Sequence, residues 1–160
     1  MRKSIYFTGG DFCLLQSIFD EDIDVMDSRV GYLNGLTAFP KHEDVLSGNS
    51  QHLLAIKVDY DAEQIDIHEI IEIYVRALPY LNDQNKPCMA KGIYYDDFLD
   101  GVEALEVLVE HGYKEHEINI AKTCNFFIAA LEHQHYYKSH PDELSLNLDK
   151  ILKDKRKANA

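Results

Sequence analysis

The sequence predicts an α+β domain, a compact mixed sheet with flanking helices, and three observations carry that expectation. Short runs rich in β-branched and aromatic residues occur at residues 4–8, 25–31 and 52–60. A long segment at 66–78 repeats its apolar residues at helical spacing. Strands are interleaved with helices in the first two thirds, whereas the last third is helix-rich. At 160 residues the chain suits one hydrophobic core rather than two, so residues 1–160 are expected to form one domain, with a helical extension from about residue 142.

Taken in order, Ser4-Ile5-Tyr6-Phe7-Thr8 is a buried strand halted by Gly9-Gly10. Asp11 then stands where a helix N-cap belongs, with Phe12, Leu15, Ile18 and Phe19 on one face behind it. Residues 25–31 form a second strand. A loop rich in Gly, Asn and Pro leads to the strand at 52–60, whose later half alternates as a half-buried strand does. In the helix at 66–78, Ile67, Ile70, Ile71, Tyr74, Val75 and Leu78 share a face, and Pro79 ends it. Residues 92–95 form a strand, 97–110 a helix closed by Gly112, and 117–124 a strand. Residues 129–139 and 144–153 have helix-compatible spacing on either side of Pro141-Asp142.

Composition excludes several functions. Acidic side chains outnumber basic ones 28 to 16, and the net charge of −12 repels phosphate backbones and anionic lipid, so neither nucleic acid nor membrane is an expected partner. The basic stretch 150–157 is expected to be a solvated helix end. No segment approaches the roughly 20 apolar residues of a membrane helix, and the apolar run after Ser4 is too short for a signal-peptide core, which points to the cytoplasm. Cys13, Cys88 and Cys124 lack disulfide-framework or zinc spacing and are expected to be reduced thiols. No metal is expected at His52, His133 and His135, because His133 and His135, two apart on a helix, point to different faces.

The stretch Ile5-Tyr6-Phe7-Thr8-Gly9-Gly10-Asp11-Phe12-Cys13 resembles the signature of the methionine sulfoxide reductase A family, in which a strand and two glycines lead to Cys-Phe-Trp. The resemblance continues through Val30-Gly31-Tyr32-Leu33-Asn34-Gly35. Pro40, Glu43, Val45, Gly48 and His52 follow in order, then Val58-Asp59-Tyr60-Asp61. It resumes at His133-Gln134-His135-Tyr136 with Pro141, similar to the family's Tyr-His-Gln-x-Tyr motif.

This resemblance implies a ferredoxin-like core and a peptide methionine-S-sulfoxide reductase needing no bound cofactor, only an external thiol reductant such as thioredoxin. In that design a thiolate at a helix N-terminus, favoured by the helix dipole and free N–H groups, attacks the sulfoxide sulfur. An acid or hydroxyl meets the oxygen, and aromatic side chains hold the methyl group. Transferred residue by residue, Phe12 and Tyr32 match the methyl pocket and one hydroxyl donor. Asp11, however, occupies the nucleophile's position, and a carboxylate cannot carry out the reductive step. Cys13 stands where the family has Trp, Gln16 where it has its acidic donor, and Met89 where it has a second tyrosine. His52 and His133 match positions that support loops around the site, with His52 counted among the substrate-contacting residues. No cysteine follows Cys124, so C-terminal resolving thiols are missing.

As a bare N-cap, Asp11 needs no catalytic role. Cys13, two residues into the helix and so rotated by about 200°, is expected to point away from the lost thiol. Three functions remain open on sequence: an impaired or inactive family member that binds a methionine- or methionine-sulfoxide-containing peptide or small molecule; a working reductase using Cys13; and an unrelated activity of the remodelled pocket using Asp11.

Overall fold

Strand β1 (Arg2–Thr8) forms where β-branched and aromatic residues alternate: Ile5 and Phe7 enter one buried cluster while Tyr6 enters another across the sheet. The computed structural model describes residues 1–22, 24–114, 116–144, 148 and 151–152. Five further strands, β2 (Val25–Leu33), β3 (Leu53–Asp61), β4 (Gly92–Tyr95), β5 (Asn119–Lys122) and β6 (Phe126–Ile128), join β1 in a single mixed sheet of order β5-β4-β1-β3-β2-β6. Only β4 and β5 pair in parallel; the other four ladders are antiparallel.

With helices α1 (Phe12–Asp20) and α3 (Ile67–Ala77), the inner strands follow the connectivity β1-α1-β2-β3-α3-β4 and lie in the spatial order β4-β1-β3-β2. That is the split βαβ arrangement of a ferredoxin-like core. The helix α4 (Phe98–Glu110) connects β4 to β5 and packs on α3. The main core lies between the sheet and these helices, where Phe7 stacks on Phe19 at 5.2 Å and on Tyr74 at 4.5 Å between ring centroids.

One device starts the three long helices. Asp11, Asp66 and Asp97 are extended, and each carboxylate accepts a hydrogen bond from the backbone N–H two residues on, at Cys13, His68 and Leu99. Each satisfies a donor that the first helical turn leaves unpaired.

The structure departs from the expected elements in two regions. Strand β2 runs on to Leu33, and the loop after it contains a short helix, α2 (His42–Leu46). The helix expected over 129–139 is mostly absent. Phe126–Ile128 instead pairs with Gly31, Tyr32 and Leu33 as β6, Leu131–His133 is a 3-10 turn, His135 is left-handed at φ 52°, and only α5 (Tyr136–Ser139) is α-helical. The cause is a set of partners distant in sequence. Gln134 accepts from Val30 N–H and donates to the carbonyls of Val30 and Ala129, so its side chain continues the β2 edge as another strand would. Within 144–153, Leu148, Ile151 and Leu152 are helical, and Ile151 and Leu152 are buried in the main core. The rest of that segment and the basic stretch from Lys153 onward lie outside the described residues.

Candidate active site

The turn between β1 and α1 sets the geometry of the site. Gly10 has φ 65°, and a side chain there would also bring a Cβ within 3.0 Å of the Asn82 carbonyl oxygen, so glycine is required. Gly10 N–H donates to the Met89 carbonyl at 2.9 Å, tying the Pro87–Met89 turn to the start of α1. Tyr74, on α3, secures the strand ends beneath: its hydroxyl donates to the Thr8 carbonyl at 2.6 Å and accepts from Gly92 N–H at 3.0 Å.

A cleft of about 520 Å³ opens at the N-terminus of α1. Phe12, Leu46, Leu54 and Met89 give it an apolar floor, Asp11, Cys13, His42 and His133 line it with polar groups, and Gln84, Lys86, Tyr136, Tyr137 and Glu143 complete the wall. Phe12 is the central ring, with centroids 6.0 Å from Tyr32, 5.7 Å from His42 and 5.7 Å from His133. His42 and His133 stack at 4.3 Å, and Tyr32 shares a 2.9 Å hydrogen bond with His42 Nδ1. Burial, reinforced by His133, holds the His42 pKa below its ordinary value, so this imidazole is neutral at pH 7. Burial pushes the Tyr32 hydroxyl up to about 12, keeping it protonated.

Asp11 lines the cleft with its carboxylate 2.9 Å from Cys13 N–H. Cys13 also lines the cleft, contrary to the expectation that it points away. The 100° rotation per residue applies inside a helix, whereas Asp11 is an extended cap residue at φ −72°, ψ 121°. The Cys13 thiol donates to the His133 carbonyl at 3.5 Å. Burial first, and the Asp11 carboxylate second, push its pKa up to about 12.

Three residues expected to line the site are absent from the cleft wall: Tyr32, which is buried and meets it through its contacts with Phe12 and His42, and then Gln16 and His52. Gln16 is fully buried beneath the cleft: its amide donates to the Ser28 carbonyl at 3.0 Å and its oxygen accepts from His135 N–H at 2.6 Å. Its position one turn into α1 aims it at β2 rather than at the cleft mouth. His52 is buried under the loop it organises, accepting from Gly35 N–H and bonding the Thr37 carbonyl, and it is absent from the cleft wall. His133 and His135 do diverge, though through the left-handed backbone at His135 rather than through helical rotation: His133 faces the cleft and His135 binds Asp20. His42 escaped the sequence reading; its placement two residues after Pro40, at the start of a segment carrying Glu43 and Asp44, was the available signal.

Chemically the cleft can accept a small apolar group against Phe12, Leu54 and Met89 and offers hydrogen-bonding groups at Asp11, His42 and His133. A second groove of about 470 Å³ between α4 and β5 is lined by Tyr95, Phe98, Leu105 and Tyr113 and shares no residue with this cleft.

The family model described as peptide methionine sulfoxide reductase matches residues 3–159. Among relatives, the peptide methionine sulfoxide reductase MsrA of Ureaplasma urealyticum serovar 10 is 32% identical over 161 residues, spanning 94% of this chain and 98% of its own. The MsrA of Mycoplasma pneumoniae is 30% identical over 152 residues, spanning 87% and 94%. Among solved structures, reduced Mxr1 from Saccharomyces cerevisiae superposes with a TM-score of 0.76 at 16% identity, over 92% of this chain and 90% of that one. Methionine sulfoxide reductase A of Corynebacterium diphtheriae gives 0.74 at 20% identity, over 88% and 76%. Fold likeness and sequence likeness thus extend over the same stretch, nearly end to end, and this chain belongs to the peptide methionine sulfoxide reductase family.

Proposed function

We propose that this chain is a family member that has lost the reductive step and retains a cleft for the methionine or methionine-sulfoxide side chain of a peptide or small molecule. The observation that carries the reading is Asp11 itself. At the helix N-terminus that opens onto the cleft stands a carboxylate, committed to capping Cys13 N–H. A carboxylate attacking a sulfoxide sulfur has no route to the reduced thioether, since it cannot supply electrons through a disulfide as a thiolate does.

The second reading, a reductase using Cys13, is favoured by the position of that thiol in the cleft wall. Its acidity argues against it. Burial pushes the pKa up to about 12, so the thiol stays protonated at pH 7. Asp11, its neighbour, opposes ionisation further. The third reading, a remodelled activity using Asp11 as acid, base or nucleophile, draws on the electrostatic contact of that carboxylate with His42 and Tyr137, but its hydrogen bond is given to the cap.

Under the favoured reading no cofactor and no thiol reductant is required. One of the matched structures is Mxr1 in complex with Trx2, at a TM-score of 0.54 and 19% identity; a thioredoxin partner follows for this chain only if Cys13 is active. The three free thiols suit a reducing compartment, which supports a cytoplasmic location, and the net charge of −12 disfavours nucleic acid and anionic membranes as partners.

Two measurements on the full chain test the proposal. Single-turnover reduction of a methionine-S-sulfoxide peptide with dithiothreitol is expected to stay at the buffer control. Turnover abolished by Cys13→Ser would transfer the reaction to Cys13 and overturn the reading. Calorimetric titration with the same peptide is expected to show saturable binding weakened by Phe12→Ala. Absence of heat up to millimolar peptide would remove the ligand assignment.

A further inference from the structure

Away from the cleft, α3 and α4 place five ionisable side chains around one point. His68 and Glu72 lie one turn apart on α3; Glu103 and Glu110 lie two turns apart on α4, followed by His111 at its C-cap. His68 Nδ1 is 2.7 Å from Glu103 Oε1, so this carboxylate fixes the orientation of the imidazole. The other ring nitrogen, Nε2, is 3.3 Å from Glu72 Oε1 and 3.7 Å from Glu110 Oε2. His111 Nε2 approaches the same Glu72 oxygen at 3.4 Å, while Arg76 takes the second oxygen of Glu72 at 3.5 Å.

We propose that this α3–α4 face is a divalent-cation site of the zinc class, with His68 Nε2, Glu72 Oε1 and Glu110 Oε2 as ligands and the fourth position left to water. Geometry carries it. A tetrahedral ion with bonds of about 2.0–2.1 Å separates its ligand atoms by about 3.3–3.4 Å. The separations of His68 Nε2 from Glu72 Oε1 and from Glu110 Oε2, 3.3 and 3.7 Å, are close to those edges, and the ligand atoms of His68, Glu72 and Glu110 all lie within 4.8 Å of one another.

The surroundings agree. A ligating histidine characteristically passes its remote N–H to a carboxylate, which fixes the tautomer and directs the other lone pair at the ion; Glu103 stands in that position. Charge also favours a cation, because the carboxylates of Glu72, Glu103 and Glu110 gather around His68 with the guanidinium of Arg76 on Glu72. The His68 imidazole in the set favours Zn²⁺ or Co²⁺ over Mg²⁺ and Ca²⁺, which take mostly oxygen ligands in larger number. Partial exposure of all three ligands leaves a route for the ion. None of these residues lines the cleft, so the site stands or falls independently of the peptide-binding proposal. Sequence spacing conceals it, since the ligands divide between two helices.

The test is calorimetric titration of the chelator-treated full chain with Zn²⁺ at pH 7.5, with His133→Ala as a control in the cleft. One ion per chain is expected, with a Kd in the micromolar range or tighter, and a Tm rise of about 5–10 °C at a hundredfold excess over Kd. His68→Ala and the near-isosteric Glu110→Gln should each weaken binding at least tenfold. Glu103→Gln should weaken it by about 10- to 100-fold, and His133→Ala should leave it unchanged. The Co²⁺ form should show the intense visible bands of four-coordination. Zn²⁺ binding weaker than millimolar, binding indifferent to both His68→Ala and Glu110→Gln, or binding lost in His133→Ala would each overturn the assignment.

Discussion

Replacing Gln16 by alanine tests how the cleft is held together. Gln16 is fully buried, and its amide donates to Ser28 O at 3.0 Å and lies 3.3 Å from Ser28 Oγ, while its oxygen accepts from His135 N–H at 2.6 Å. Asp20 joins the same group through Ser28 Oγ at 2.9 Å and His135 Nδ1 at 2.8 Å. These bonds fasten to α1 the segment carrying His133, Tyr136 and Tyr137 of the cleft. Two buried hydrogen bonds at about 1 kcal/mol each, plus about 1 kcal/mol for leaving His135 N–H without its partner, give a loss of about 3 kcal/mol. For a chain of this size the Tm should fall by about 6–12 °C. Urea unfolding of the wild type and Gln16→Ala measures the difference, and peptide titration should show weaker binding by the variant. A loss below about 1 kcal/mol would refute the reasoning, since it would mean that water satisfies these groups as well as the side chain does. Gln16→Glu sharpens the test. It sets a carboxylate oxygen where the amide faces the Ser28 carbonyl, so the buried acid must hold a proton and its folded-state pKa lies above its unfolded value. A raised pKa contributes stability below the unfolded value that is lost as pH rises through the folded one. Gln16→Glu should therefore be damaged at pH 7 and recover as the pH is lowered toward 5.

Three further outcomes follow. Asp11→Cys places a thiol at the N-terminus of α1 next to the N–H of Cys13, and iodoacetamide should alkylate it faster than Cys13, whose thiol is buried with a pKa near 12; equal rates would mean that this terminus does not activate a thiol. Tyr74→Phe removes a fully buried hydroxyl bridging Thr8 O and Gly92 N–H, and should cost about 1–3 kcal/mol in chemical unfolding, with a neutral result contradicting the role given to that bridge. Burial raises the Asp59 pKa, but hydrogen bonds from Arg2 and Ser4 outweigh it and hold the pKa below its usual 3.8. A depressed pKa gives stability that is present above the unfolded value and lost as pH falls through the folded one, so Asp59→Asn should flatten the acid-unfolding limb below about pH 4; an unaltered limb would sink the argument.

The elements that the sequence by itself determined are those whose signals are local. The halt at Gly9-Gly10, the cap at Asp11, the apolar stripe of α3 and the stop at Pro79 are each decided within about one turn of chain, where capping and periodicity act. The approach of Phe12 to Tyr32 was legible through the family resemblance. Tertiary structure decided the rest. Residues 129–139 have helical spacing, yet Gln134 bonds Val30, 104 residues away, and His135 N–H bonds Gln16, 119 residues away. The Gln134 contact satisfies backbone groups of β2 that would otherwise lie at an open sheet edge and the Gln16 contact satisfies the His135 N–H, so together they outweigh a helical preference of a few tenths of a kcal/mol per residue. The same holds for His42 against His133 in the cleft and for His68 against Glu103 and Glu110 between the helices. Side chains far apart in sequence acquire their chemistry only when packing brings them within about 4 Å, and nothing in the spacing of either partner records the other.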